Sequence, residues 1–262
     1  MRRAEHTANN WGETSLSLEN KVAIVTGGGS GIGSSYVRAL AKAGAKVVIA
    51  DLNEELANTL SRDLESNGHK AIAIGTDVTS ESETLRMAAE TIARFGTIDI
   101  LVNNAGIFPQ CDFLDLTYEN WRKSLAVNLD GPFLCCKAVA PEMVKNKSGK
   151  IINISTECFF MGFETLVDYT AAKAGVVGLS RALARSLGQY GINVNTVTPG
   201  LTASDALLRD QPENFDPHVA RQCLKRVQRP DDLVGSVLFL ASSASDMITG
   251  QIINVDGGYN LH

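Results

Sequence analysis

Short, nearly all-apolar runs recur along this chain, and between them the apolar residues return every three or four positions. The runs are Lys21–Thr26, Lys46–Ala50, Lys70–Thr76, Ile98–Val102, Lys150–Ile154, Ile192–Thr198 and Gln251–Val255. A run of this kind, without polar alternation, predicts a parallel strand buried on both faces. Helical spacing covers Ser34–Ala43, Glu54–Asn67, Ser80–Phe95, the segment around Tyr169, and Asp231–Ala241. It also covers Tyr118 to about Lys145, with a break near Gly131-Pro132. Strand and helix alternate without repeats or linkers, which predicts one doubly wound α/β domain of about seven parallel strands with helices on both faces. Two stretches stand outside the alternation. Residues 1–17 are polar and read as a flexible N-terminal extension, and Leu201 to about Arg229 is a proline-punctuated connection.

Composition narrows the classes. With 44% hydrophobic and 20% charged residues, the chain is an ordinary globular protein. A net charge of −5 gives no electrostatic footprint for nucleic acid. No apolar run reaches the roughly 18 residues of a membrane span. Cys111, Cys135, Cys136, Cys158 and Cys223 show neither metal-ligand spacing nor a paired framework, so no metal is expected. They indicate a reducing compartment. No apolar core of a signal peptide follows Arg2 and Arg3, and Glu5 and Glu13 count against a transit peptide, so a cytoplasmic location is expected.

Chemistry enters at Asp168-Tyr169-Thr170-Ala171-Ala172-Lys173. Tyr169 and Lys173 are four residues apart and share one helical face. A lysine cation within ~4–6 Å favours a phenolate and makes tyrosine a usable proton donor and acceptor. Alone, the pair describes a helix surface at least as well. Upstream, the first run passes into Gly27-Gly28-Gly29-Ser30-Gly31-Ile32-Gly33 and then a helix. A glycine turn in that position lets backbone approach a pyrophosphate at a helix N-terminus. Asp51 ends the second run, where a carboxylate either accepts from ribose hydroxyls or caps the next helix. Asp77-Val78 ends the third, where an adenine ring could lie. The fourth run enters Asn103-Asn104-Ala105-Gly106, small residues and amides suited to cofactor contact and to bracing strands, or to a simple turn. Asn128 falls within a helical pattern, a position from which helices gain nothing unless the side chain is exposed or employed. Ser155-Thr156 ends the fifth run, and Pro199-Gly200 follows the sixth.

Thr26-Gly27-x-x-x-Gly31-x-Gly33, Asn103-Asn104-Ala105-Gly106, Asn128, Tyr169-x-x-x-Lys173 and Pro199-Gly200 together resemble the short-chain dehydrogenase/reductase family in order and spacing. The resemblance spans about Leu18 to Leu261. It implies a Rossmann-type sheet, a catalytic domain over residues 18–262, a nicotinamide cofactor, and hydride exchange between a secondary alcohol and a carbonyl compound. By that resemblance Tyr169 is the general acid/base, Lys173 holds the nicotinamide ribose, and Asn128 anchors a water-linked proton relay. Gly27, Ser30, Gly31, Ile32 and Gly33 form the pyrophosphate turn, and Asp51 reads the adenosine ribose. Asp77 and Val78 flank the adenine, Asn104, Ala105 and Gly106 lie beside the cofactor, and Pro199, Gly200 and Ser204 meet its carboxamide end. It further implies a homotetramer.

Two positions depart from the family pattern, the milder being Ser204, where many relatives have threonine and a hydroxyl is retained. The usual catalytic serine is replaced by Thr156, thirteen residues before Tyr169. Its hydroxyl can still donate to a substrate oxygen, whereas Ser155 would point to the opposite side of the strand. Asp51, with no arginine between Gly27 and Gly33, predicts NAD as cofactor. An apolar set (Phe108, Pro109, Cys158, Phe159, Phe160, Met161, Leu201, Leu207 and Leu208) suggests a ring-bearing or alicyclic alcohol, with core packing the competing explanation at each position. Two alternatives stand beside this reading. One is a dinucleotide-binding or regulatory protein with impaired catalysis. The other is an NADPH-using 3-oxoacyl-ACP-reductase-like enzyme, which would usually carry a basic residue in the glycine turn.

Overall fold

The protein is described here by a computed structural model covering residues 16–210 and 212–261. The N-terminal extension expected over residues 1–17 lies outside the described residues as far as residue 15.

The apolar runs form seven strands: β1 (Val22–Thr26), β2 (Lys46–Asp51), β3 (Ala71–Gly75), β4 (Ile100–Asn103), β5 (Gly149–Ile154), β6 (Ile192–Pro199) and β7 (Ile252–Val255). All pair in parallel, in the order β3-β2-β1-β4-β5-β6-β7. The absence of polar alternation has a direct cause. Successive residues of a central strand point to opposite faces, and both faces are covered. Ala23 and Val25 pack toward α1 (Gly31–Lys42), α2 (Glu54–Ser66) and α10 (Pro230–Ala241). Ile24 packs the other way, in a layer shared with α3 (Glu81–Phe95), α5 (Gly131–Asn146) and α7 (Val167–Leu187). Each fully buried Val, Ile or Leu contributes about 1.5–3 kcal/mol, so both layers hold the sheet. Cys135 and Cys136 lie in the second layer as small apolar groups.

The chain winds outward from β1 to β3, then returns to place β4 on the other side of β1. At such a switch point the carboxyl ends of the two strands diverge into a crevice, the usual ligand position in open α/β sheets. Thr26 and Asn103, the last residues of β1 and β4, face each other in register there.

Three local features differ from the sequence expectation. The helix expected from Tyr118 to about Lys145 is α4 (Tyr118–Leu125), a π turn (Ala126–Asp130) and α5. The break precedes Gly131-Pro132, and the Gly131 N–H reaches back five residues to the Ala126 carbonyl. A four-residue helix, α6 (Cys158–Met161), follows β5. The connection between Leu201 and Arg229 contains α8 (Asp205–Asp210) and α9 (Phe215–Arg221), each too short to express a hydrophobic period.

Candidate active site

The crevice is built first by close backbone approach. Gly27 has φ of +60°, and a Cβ on Gly33 would lie 2.1 Å from the Gly27 carbonyl oxygen, so only glycine fits at position 33. Ser30 precedes α1 in extended backbone without capping it through its side chain. The first-turn amides therefore remain available to an anion such as a pyrophosphate. Ile32 packs into the first core layer, and Ser204 lies across the turn, its Cβ 3.9 Å from where a Gly31 Cβ would sit.

Asn104 clamps this turn to β4. Its Nδ2 donates to the carbonyls of Thr26 and Gly27 at 3.1 and 3.0 Å. In return Thr26 Oγ1 accepts from the Asn104 and Ala105 amides. Asn103 extends the bracing sideways through Asn153 Oδ1 at 2.8 Å, and Asn153 donates to Ser180 on α7. The Asn103-Asn104 pair thus ties β1, β4, β5 and α7 together.

Asp51 has two alternatives from sequence, and the geometry separates them. Its Oδ2 accepts from Gly29 N at 2.8 Å and its Oδ1 from Asn53 N at 2.8 Å. The α2 cap is Asn53, whose side chain accepts from Leu56 N. Asp51 is therefore a carboxylate fixed beside the glycine turn, not the helix cap. Arg38 on α1 is paired with Asp63 on α2. Asp77 is held by Thr79, and Val78 is buried against Gly131.

The candidate chemical groups come from β4, the π turn, β5 and α7. Asn128 is fully buried. Its Nδ2 donates to the Ile107 and Ser124 carbonyls, and its Oδ1 accepts from Ile107 N. Gly106 separates it from Lys173, because a Cβ there would meet Asn128 Oδ1 at 2.8 Å and Lys173 Nζ at 3.5 Å. Lys173 is 3% exposed, donates to the Ile154 carbonyl at 2.8 Å, and lies 5.9 Å from the centre of the Tyr169 ring. Burial pushes its ammonium down to about 8. Burial likewise drives the Tyr169 phenol upward, with Cys158 and Glu157 adding to the rise and a hydrogen bond with Thr156 opposing it. Sequence spacing had Lys173 lowering the phenol. In the structure burial is the largest influence and the phenol is raised.

The two hydroxyls at the end of β5 diverge as strand alternation requires. Ser155 Oγ turns inward and donates to the Lys173 carbonyl at 2.8 Å. Thr156 Oγ1 accepts from Cys158 N and faces the Tyr169 hydroxyl. Phe108 meets the Tyr169 ring edge-on at 6.4 Å, while Phe159 and Phe160 stack on each other at 4.0 Å. Cys158 and Leu207 are buried, whereas Met161 and Leu208 are exposed. Gly200 is bonded to β7 through Val255 O, and Pro199 O accepts from Glu157 N. Sequence reading missed Glu157, which follows Thr156, together with His218 and Asp256, two further buried titratable side chains close to Glu157. No spacing in the chain signals that they meet.

A phenol, a hydroxyl and a buried ammonium thus come together beside a crevice of the nucleotide-binding type. The family model described as "Enoyl-(Acyl carrier protein) reductase" matches residues 27–260. The (2S)-[(R)-hydroxy(phenyl)methyl]succinyl-CoA dehydrogenase subunit BbsD of Thauera aromatica is 38% identical over 94% of this chain and 99% of its own. A 3-oxoacyl-[acyl-carrier-protein] reductase from Synechocystis is 39% identical over 92% and 97%. Among solved structures, a gluconate 5-dehydrogenase from Burkholderia cenocepacia, in complex with NADP and tartrate, superposes with a TM-score of 0.89 at 37% identity, over 94% of this chain and 97% of that one. The chain belongs to the short-chain dehydrogenase/reductase family and is an oxidoreductase of the dehydrogenase/reductase type. Its cofactor class is the nicotinamide dinucleotides, and the glycine cradle, the uncapped start of α1 and Asp51 fit such a group. No described helix is long and apolar enough to cross a membrane.

Proposed function

We propose that the protein is an NAD(H)-dependent dehydrogenase interconverting a secondary alcohol, ring-bearing or alicyclic, with its ketone. The observation that carries this reading is the Thr156–Tyr169 hydroxyl pair, set beside Lys173, with Phe108 against the Tyr169 ring and Cys158 close to its hydroxyl. Thr156 donates to the substrate oxygen and orients it toward Tyr169. Tyr169 takes the alcohol proton during oxidation and returns it during reduction. Lys173 binds the nicotinamide ribose and, once drawn toward it, lends its charge to the phenolate. Asn128 holds the backbone at Ile107 and anchors the relay by which protons leave. Gly27 to Gly33 take the pyrophosphate, Asp51 the adenosine ribose, Asp77 and Val78 the adenine edge, and Ala105, Gly106, Pro199, Gly200 and Ser204 the nicotinamide half. The bound nicotinamide supplies the hydride acceptor or donor. The phenyl-bearing alcohol in the name of the Thauera relative supports the substrate class. The test is NAD reduction by the purified chain across a panel of secondary alcohols. No reduction with any of them would end this reading.

Asp51 sets the expected cofactor preference. Its carboxylate, fixed by Gly29 N and Asn53 N, would face the extra phosphate of NADP. Like charges about 4 Å apart at an effective dielectric near 20 repel by about 4 kcal/mol. Partial solvation reduces this to roughly 2 kcal/mol, still more than tenfold. Arg38 is engaged by Asp63 and offers no compensation. We expect kcat/KM with NAD to exceed that with NADP by at least about tenfold. Comparable values, or an unchanged preference in Asp51→Ala, would remove this role from Asp51.

The assembly reading is a homotetramer. It is supported by apolar side chains left exposed along the α4–α5 side, where Leu114 is 94%, Tyr118 78% and Phe133 46% exposed. Light scattering at micromolar concentration should give four times the chain mass of 28.0 kDa. A monomer would refute it. The cytoplasm is the compartment this reading assigns.

A further inference from the structure

Beside the site lies a buried group of titratable side chains that the proposed reaction leaves unused. Glu157 follows Thr156 directly and is 3% exposed. His218 on α9 is 6% exposed and brings Nε2 to 3.5 Å from Glu157 Oε1. Glu157 Oε2 and His218 Nε2 are both shielded from solvent and without a hydrogen-bond partner among the described residues. Their needs are opposite. A protonated carboxyl requires an acceptor, and a neutral imidazole with a bare Nε2 requires a donor. One proton between Glu157 Oε1 and His218 Nε2 gives Nε2 its donor and leaves the carboxyl neutral, whereas a buried unpaired carboxylate is costly.

The surroundings favour that single proton. Burial and the nearby Asp256 raise the Glu157 carboxyl to about 8, partly opposed by the Leu201 backbone N–H. Burial lowers His218, with Arg221 acting in the same direction and Asp256 against it. Cys158 and Tyr169 are the other titratable groups facing Glu157. Tyr259 stacks flat on His218, with ring centres 4.1 Å apart, and Arg221 lies over the Tyr259 ring.

Four segments of chain meet here. Glu157 N bonds Pro199 O, joining the segment just past β5 to the last residue of β6. Gln222, just past α9, donates to Asp256 O, and Leu224 N bonds Gly257 O. Asp256 in turn holds the amides of Gly258, Tyr259 and Asn260. We propose that Glu157 is a positioning residue that shares one proton with His218 and thereby holds α9 and the C-terminal turn against the strand end presenting Thr156. Its kinetic consequence rests on the alcohol-dehydrogenase reading, but the proton sharing does not.

The pH dependence has a definite sign. A carboxyl raised in the folded state contributes stability at low pH that is lost as pH rises from its ordinary value, about 4.3, through its folded value near 8. Glu157→Gln keeps the shape and offers His218 an N–H donor at every pH. Its melting temperature relative to wild type should therefore climb steadily from about pH 5 to about pH 8, then level off. Between pH 7 and 9 the wild-type KM for the alcohol should rise at least about threefold while that of Glu157→Gln stays flat, with kcat moving in parallel in both. A merely structural contact would give a constant offset, so parallel melting curves and parallel KM profiles would overturn the proposal. Should Glu157→Gln fail to fold, the ¹⁵N signals of wild-type His218 decide. An imidazole that stays neutral well below its ordinary value supports sharing, and titration near that ordinary value of about 6.5 overturns it. Diverging melting curves without alcohol turnover would uphold the shared proton and remove the alcohol reading. Turnover with parallel curves would do the reverse.

Discussion

Replacing Tyr169 with phenylalanine should lower turnover by about 100-fold or more while leaving the affinity for NAD close to wild type. The ring keeps its edge contact with Phe108 and its place above Lys173, so packing is conserved. What is lost is the hydroxyl beside Thr156 from which a proton can be passed to the substrate oxygen. Single-turnover rates, measured with NAD affinity by fluorescence titration, check both halves of the expectation. A Tyr169→Phe enzyme that keeps most of its activity would place the proton transfer elsewhere.

Thr156→Val should cost roughly 3 kcal/mol of barrier, on the order of 100-fold in kcat, because it deletes one preorganised donor and keeps the side-chain shape. Ser155→Ala removes a different bond, the one to the Lys173 carbonyl. That loss falls on stability, at about 1 kcal/mol, with little effect on kcat. Measuring kcat and melting temperature on both variants separates the roles. If Ser155→Ala were the slower enzyme, the oxygen-binding hydroxyl would be Ser155.

The strands were legible because a parallel strand covered on both faces is apolar along its length, as Val22–Val25 and Ile100–Val102 are, with a polar residue only at the carboxyl end. The Tyr169–Lys173 pair was legible because helical spacing is local. The direction of their proton affinities was not, since it depends on how deeply the sheet and α6 bury them. Asp51 and Asn53 could each have capped α2, and only the folded turn shows the labour divided between them. Glu157 and His218 leave no trace in any window of sequence, because their meeting is set by how α9 folds over the end of β5. The segment carrying α9 reads as a proline-rich connection for the same reason. Its helices are stabilised by what they cover, not by their own periodicity.

The π turn at Ala126–Asp130 inserts one residue more than an α-helical turn would hold. Everything beyond it is therefore rotated by about 100° relative to an unbroken rod. The first half can then serve α7 while the second serves α3 and the sheet, as their packing partners show. One continuous rod acts as two helices with independent facing. Asn128 sits at the joint, where a polar side chain can turn inward and take up a backbone carbonyl without breaking either half.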